Sequence, residues 1–331
     1  MSRCLFDFGS RQLLILLALS LLVCACATRP PPPDSFTFAV LGDIGYGPSE
    51  EGQFLATMRQ IDAATPAFTV HVGDFMAHEP CTDAFYEKRK RQFDESGAPF
   101  ILTPGDNEWE DCPRWWQAPR DSLESLEAVR RIFFADRWSM GRRRMETLAQ
   151  DHCLASPPPG CGCAAHPENR QWRYRRVHFV TLNIPGHKNN LGHGPRGDQE
   201  VACRNAANAA WLESAAVASM DREVRALVVL TQANPWEPYP RQYRHAFDGY
   251  IGQLAALPPR LAKPILFVHG DTHHYRVTEF LGTDGHPVGG ITRMETLGTP
   301  AIGWVLVTFN ADRDDPFDFD PRLVGLSIPG T

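Results

Sequence analysis

The sequence predicts an α/β fold, and three observations carry that prediction. Short continuous runs of Val, Leu, Ile and Phe recur along the 331 residues, as in strands buried on both faces rather than in a half-solvated sheet. Stretches with helical periodicity separate several of these runs. Each run ends abruptly in glycine or a polar residue, so polar groups collect at the strands' carboxyl ends, where α/β sheets bind ligands.

Taken in order, the chain opens on Arg3 and Arg11 before an apolar run over 13–23. That run has the length of a secretory signal's apolar region and is short for a bilayer span. Two processing signals overlap beyond it. Ala25-Cys26-Ala27 has an A-x-A cleavage pattern, and Val23-Cys24-Ala25-Cys26 resembles a bacterial lipobox with Cys26 as the acylated residue. The lipobox is preferred because Arg29 and Pro30-Pro31-Pro32-Pro33 read as an extended tether; an uncleaved anchor helix is the alternative. The expected organisation is a lipoprotein-type signal over 1–25, a proline-rich tether over 26–33 and one domain over 34–331. The expected location is the bacterial periplasm, lipid-anchored or secreted.

Residues 36–41 are the first predicted strand, closed by Gly42-Asp43-Ile44-Gly45 and followed by a helix over 50–63. Residues 68–72 run into Gly73-Asp74-Phe75, with a helix near 82–95, and 99–103 run into Pro104-Gly105-Asp106-Asn107-Glu108, with a helix near 122–134. Later, 227–230 precede Thr231-Gln232-Ala233-Asn234, and 265–268 precede His269-Gly270-Asp271-Thr272-His273. Between these units, 172–175 and 178–182 read as paired strands, 153–169 as an irregular insertion and 275–309 as β-rich. The polar segment 186–194 reads as an exposed loop in which Lys188, or nearby Arg196, could meet phosphate oxygens. His71 and His269, set among apolar neighbours, read as core histidines, and His166, Trp115 and Trp116 as packing residues.

Six cysteines lie beyond the signal: Cys81, Cys112, Cys153, Cys161, Cys163 and Cys203. An even number after an export signal predicts three disulfides. The sequence does not set the pairing, but Cys81 with Cys112 is the first expectation, since each follows a polar strand-end loop by a few residues. Cys161-Gly162-Cys163 alone is a weak zinc signal. With 33 basic against 39 acidic residues, a net charge of -6, no bulk basic field exists to gather nucleic acid.

Asp43, Asp74, Asp106 and Asp271 each follow a glycine at a strand end, where the backbone can turn sharply and project a short carboxylate. Four converging carboxylates repel one another unless a cation intervenes, and oxygen ligands joined by His273 favour divalent metals. Here the chain resembles the calcineurin-like metallophosphoesterase superfamily. Its ordered signature, D-x-H or G-D-x-G, G-D, G-N-H-E/D, a His after a strand and G-H-x-H, is met by Gly42-Asp43-Ile44-Gly45, Gly73-Asp74, Gly105-Asp106-Asn107-Glu108, Gln232 and Gly270-Asp271-Thr272-His273.

The resemblance implies a four-layer α/β/β/α sandwich, two mixed sheets flanked by helices. It also implies two divalent cations (Mn, Fe, Zn or Mg) that clamp a phosphate ester and activate water. By position, Asp43, Asp74 and His273 correspond to ligands of one metal. Asp74 corresponds to the bridging carboxylate, and Asp106, Gln232 and Asp271 to ligands of the second. The gap-free alignment puts Asn107 at the catalytic histidine; sliding by one makes Asn107 the ligand and Glu108 the acid. Gly45 stands where many members carry histidine; purple acid phosphatases share that departure but place a tyrosine after the second Gly-Asp, and none follows Gly73-Asp74 here. His78 is a candidate extra ligand there, and His274 a candidate substrate contact. The expected function is an exported metal-dependent phosphoesterase acting on a small-molecule ester, with membrane contact only through the lipid. The alternative is a catalytically degenerate binding or scaffold protein, suggested by Asn107, Gln232 and Asp271 in place of histidines. Oligomeric state is not legible.

Overall fold

The computed structural model describes residues 34–77, 79–114, 120–238, 243 and 245–324. The signal, Cys26, the tether, His78, Trp115 and Trp116 lie outside the described residues. No helix among the described residues is long and apolar enough to cross a membrane.

Two mixed sheets form the centre. The first has five strands, β1 (Ser35–Leu41), β2 (Thr69–His71), β3 (Phe100–Leu102), β11 (Gly303–Asn310) and β12 (Phe317–Leu323), in the order β12-β11-β1-β2-β3. The second has seven: β4 (Leu148–Gln150), β5 (His166–Tyr174), β6 (Val177–Thr181), β7 (Ala226–Leu230), β8 (Ile265–His269), β9 (Arg276–Leu281) and β10 (Pro287–Glu295), in the order β4-β5-β6-β7-β8-β10-β9. Strands β1, β2 and β3 pair in parallel, as do β6, β7, β8 and β10. Their carboxyl ends therefore carry every loop singled out above.

The period-two alternation of a strand sorts side chains between layers. Phe38 and Val40 of β1 join Phe179, Val228, Leu230, Leu266 and Val268 of the second sheet in one buried cluster between the sheets. Ala39 and Leu41 face the other way, onto Phe54, Ile61, Phe93, Val129 and Phe133. These belong to helices α1 (Glu51–Ala64), α2 (Asp83–Asp94) and α3 (Ser122–Phe133). On the far side Leu227, Val229, Ile265 and Phe267 pack with Trp211, Leu212, Ile251 and Leu254, from α4 (Gly194–Ser219) and α5 (Asp248–Ala255). The layers are helices, sheet, sheet, helices, as the resemblance implies.

Several predicted boundaries are corrected. The insertion over 153–169 is shorter than read, because β5 starts at His166, which is buried in a strand. The pair β5–β6 is antiparallel with Trp172 opposite Phe179. The 26-residue α4 has no counterpart in the sequence reading. Its start carries Gly194, Pro195 and Gly197, and its buried face mixes Arg204 and Asn208 with Val201, Trp211 and Ala215, which blurs the apolar stripe that marks a helix. Disulfides join Cys81–Cys112, Cys153–Cys163 and Cys161–Cys203. The first ties the loop after β2 to the loop after β3. The third moors the insertion to α4.

At the centre of the inter-sheet core, Phe68 stacks on Phe38 at 5.4 Å and meets Phe179 edge-on at 5.0 Å. Phe68→Ala is expected to cost about 3–5 kcal/mol through lost burial and the cavity left behind, read as a shift in the urea midpoint. A cost below about 1 kcal/mol would refute this account of the core.

Candidate functional site

Asp43, Asp74, Asp106 and Asp271 come from four loops, three at the carboxyl ends of β1, β2 and β3 in the first sheet and one at the carboxyl end of β8 in the second. Asp43, Asp74 and Asp271 have φ of 54°, 56° and 81°, and His273 of 62°. The left-handed region is one that aspartate tolerates better than most residues. The sharp turn is thus carried by the acidic residues themselves. The preceding glycines chiefly supply space: a Cβ on Gly105 would lie 2.0 Å from Asp74 Oδ1, and one on Gly270 2.1 Å from Asp43 Oδ2.

Backbone and amide donors hold the carboxylates. Asp43 Oδ1 accepts from the Asp271 N–H at 2.9 Å. Asp74 accepts from the Asn107 N–H at 3.2 Å and from Gln232 Nε2 at 3.1 Å. Asp271 Oδ2 accepts from the Asn234 N–H at 2.7 Å. Gln232 spends its carbonyl oxygen on the N–H of Gly186. Of the predicted site residues, the structure therefore brings Asp43, Asp74, Asp106, Gln232, Asp271 and His273 to one place. His273 Nδ1 donates to the Thr299 carbonyl at 2.6 Å, so the neutral ring presents the Nε2 lone pair inward, 3.7 Å from Asp43 Oδ1.

Glu108 is corrected. It is fully buried, and its carboxylate accepts from the N–H groups of Asp74 (3.0 Å), Phe75 (2.7 Å) and Gly105 (2.7 Å). It is a strut joining the second and third loops, and it cannot meet a leaving group from there. Asn107 stays partly exposed beside Asp74. His274 is exposed, its ring turned to the Thr272 carbonyl and its N–H donating to Glu295. His71 and His269 are fully buried core residues, His269 accepting from Arg293 Nε at 2.8 Å. Arg196 reaches Asp121.

Tyr46 was missed. Its hydroxyl lies 3.3 Å from His273 Nε2 and 3.5 Å from Asp74 Oδ2, and burial followed by the charges of Asp74 and Asp43 pushes its pKa well up, so it keeps its proton and acts as a hydrogen-bond donor. The available signal was its place directly after Gly42-Asp43-Ile44-Gly45. Glu50 was also missed; it accepts from the Tyr46 N–H at 2.9 Å and from Thr299 Oγ1 at 2.9 Å, holding the first loop against the segment that orients His273.

Burial and mutual repulsion dominate the electrostatics. Asp43, Asp74 and Asp271 are each raised well above the usual carboxylate range, first by burial and then, in part, by the Asp106 charge. Asp106 is pushed up to about 8 by burial and by Asp111. Its Oδ1 is buried without a hydrogen-bond partner. The same oxygen and Asp271 Oδ1 lie 2.9 and 2.5 Å from the point where a Cβ on Gly186 would sit. Hard, crowded oxygen donors with one orphaned atom are the donor chemistry of a divalent cation site. Among the described residues, no three His, Cys, Asp or Glu side chains are drawn together tightly enough to grip one cation as they stand.

A model of the calcineurin-like phosphoesterase family matches residues 36–275. Among solved structures, PhoD superposes with a TM-score of 0.52 at 13% identity, covering 85% of this chain; the chain spans 66% of the length of that protein. A dimetal phosphatase from Danio rerio gives a TM-score of 0.44 at 10% identity, with 88% and 99% of the two chains covered. The PhoD likeness supports the fold alone. No curated protein matches the sequence.

The raised Asp106 has a thermodynamic consequence. Its pKa is higher folded, about 8, than unfolded, about 4, so its contribution to stability is complete below pH 4 and is lost as pH rises through 8. The depressed histidines His71, His178 and His187 slope the other way only up to their unfolded pKa near 6.5. In chelator, Tm is expected to fall by about 3 °C or more between pH 6.5 and 9, and Asp106→Asn should flatten that slope. Circular dichroism melts read it; a flat or rising wild-type Tm would contradict the electrostatics.

Proposed function

The chain belongs to the calcineurin-like phosphoesterase family, and from that premise we propose that it is an exported, metal-dependent hydrolase of phosphate esters. The observation that carries this reading is the gathering of Asp43, Asp74, Asp106 and Asp271 at the carboxyl ends of strands from both sheets, with Asp106 Oδ1 buried and unpartnered. Asp43, Asp74 and His273 would hold one divalent cation, and Asp74, Asp106, Asp271 and the Gln232 amide a second. Such a pair, when bound, neutralises the carboxylates, polarises phosphoryl oxygens and lowers the pKa of a water.

The chain's own residues have separate tasks. The Glu108 strut and the backbone donors fix the orientation of Asp74. The Thr299 carbonyl selects the tautomer of His273. The Tyr46 hydroxyl, protonated at neutral pH, sits where it can donate to a developing negative charge beside Asp74. Asn107 can hydrogen-bond a leaving oxygen but cannot protonate it, so esters of good leaving groups are favoured. Export rests on the basic and apolar N-terminus with its lipobox, and agrees with the three disulfides, which belong to oxidising compartments. Residues 34–331 act as one domain, tethered through Cys26 in the periplasm.

A second reading is a degenerate binding protein. Gln232 favours it, because its carbonyl and amide are both engaged within the protein, on Gly186 and Asp74. Two measurements separate the readings. Elemental analysis of protein purified from an oxidising compartment should find about two metals per chain, and Asp74→Ala should abolish turnover of p-nitrophenyl phosphate while keeping the wild-type circular dichroism spectrum. Metal without turnover on any aryl monoester or diester would leave the binding protein. With Asn107 unable to supply a proton, alkyl phosphates should be slower than p-nitrophenyl phosphate by a further factor of about 10²–10⁴ compared with enzymes that have a general acid; equal rates on both would point to an unrecognised acid.

A further inference from the structure

The segment after β10 lies in a stretch that reads only as β-rich in the sequence, yet it belongs to the site. Strand β10 runs parallel to β8 with Glu295 opposite His269, so its carboxyl end lies beside the loop of Asp271 and His273. From there residues 296–302 cross to β11 in the first sheet and pass the carboxyl end of β1, where the Thr299 N–H donates to the Asp43 carbonyl at 2.9 Å. The family match ends at residue 275 and leaves this segment out.

Residues 295–299 grip the first and last site loops. Glu295, fully buried, accepts from Thr272 Oγ1 at 2.6 Å and from the His274 N–H at 2.9 Å, which pins the two residues that alternate with Asp271 and His273. Those two have φ of 81° and 62°, a conformation that persists only where the surroundings over-determine it. The Thr296 N–H donates to the His269 carbonyl at 2.9 Å, and its Oγ1 donates to Asp43 Oδ2 at 3.4 Å. A Cβ on Gly298 would lie 2.7 Å from Asp43 Cβ and 2.8 Å from His273 Cγ. Gly298 is not left-handed, so those two side chains by themselves exclude a larger residue there. The Thr299 carbonyl accepts from His273 Nδ1 at 2.6 Å, and its Oγ1 donates to Glu50 at 2.9 Å. One segment thus holds both Asp43 and His273, whereas Gln232 is held by Gly186 and Asp74.

We propose that residues 295–299 are a positioning loop for Asp43 and His273, and that this loop sets the affinity of the cation they hold with Asp74 without setting that of the second cation. The inference rests on the two-cation reading of the site. The test is equilibrium dialysis of the full chain, purified from an oxidising compartment, against Mn, with uptake fitted to two binding constants. Wild type is compared with Gly298→Ala, Thr296→Val, Asp106→Asn and the Gly298→Ala/Asp106→Asn double variant. Gly298→Ala should weaken one constant about 10–100-fold, the usual effect of disturbing the partners that orient metal ligands, and leave the other unchanged. Asp106→Asn should weaken that other constant, and the double variant should weaken both. Thr296→Val, which removes only the hydroxyl bonded to Asp43, should weaken the same constant as Gly298→Ala by a smaller factor, and it takes the place of Gly298→Ala if the alanine variant does not fold. Equal weakening of both constants, a lowered Tm with both constants intact, or a double variant that keeps one wild-type constant would overturn the loop's role. If wild type takes up no Mn, the phosphoesterase reading fails by itself, and hydrogen exchange of the metal-free protein decides the loop. Faster exchange in the variants confined to peptides over 41–46 and 270–275 supports it; unchanged exchange, or exchange equally faster over 104–110 and 231–234, overturns it.

Discussion

Repulsion among buried carboxylates is the constraint on which the rest of this structure depends. Asp43, Asp74 and Asp106 are nearly inaccessible to solvent, and Asp271 contacts the same centre through its N–H on Asp43. Burying one such charge is costly and burying several together is worse. The surrounding loops answer with donors: main-chain N–H groups and the amide of Gln232. Every donor comes from a different segment from its acceptor, so the loops hold one another as well as the acids. What these donors leave over, the orphaned Asp106 oxygen above all, is the capacity for a cation.

Supporting interactions extend outward in shells with distinct tasks. Glu108 ties three main-chain N–H groups of two loops and is itself raised to about 7, first by burial and against the pull of those N–H groups and Arg89. Behind the last loop, Glu295 accepts from Thr272 Oγ1 at 2.6 Å and from Arg276 Nε at 2.7 Å, while Arg293 bridges His269 and Asn234. Such fully engaged networks specify geometry more than they add net stability. Their position explains how aspartates with positive φ are kept in place at the strand ends.

Much of this was legible in the sequence because strand ends announce themselves locally. A run such as Phe36-Thr37-Phe38-Ala39-Val40-Leu41 followed by Gly42-Asp43 combines burial, a break in backbone direction and a charge within eight residues, and each signal is short-range. The same holds for Gly73-Asp74, Gly105-Asp106 and Gly270-Asp271. Less legible were elements whose purpose is to meet something distant. Helix α4 was overlooked because its inward face includes Arg204 and Asn208, polar residues that make sense only opposite Asn183 and Asn189. Tyr46 looked like loop filling until His273, 227 residues later, came to lie against its hydroxyl.

By itself, then, the sequence determined the alternation of strands and helices, the acidic loops that close the strands, and the likeness to one family, since all of these are written in residues near one another along the chain. The tertiary structure alone decided which acids share a centre, that Glu108 is a strut between two loops, and that a left-handed turn over 187–190 is held against the loop after β3 through Glu110. The physical reason is that role depends on partners. A carboxylate's hydrogen bonds, burial and neighbouring charges are fixed only when two sheets pack and bring together loops such as those of Asp43 and Asp271, 228 residues apart.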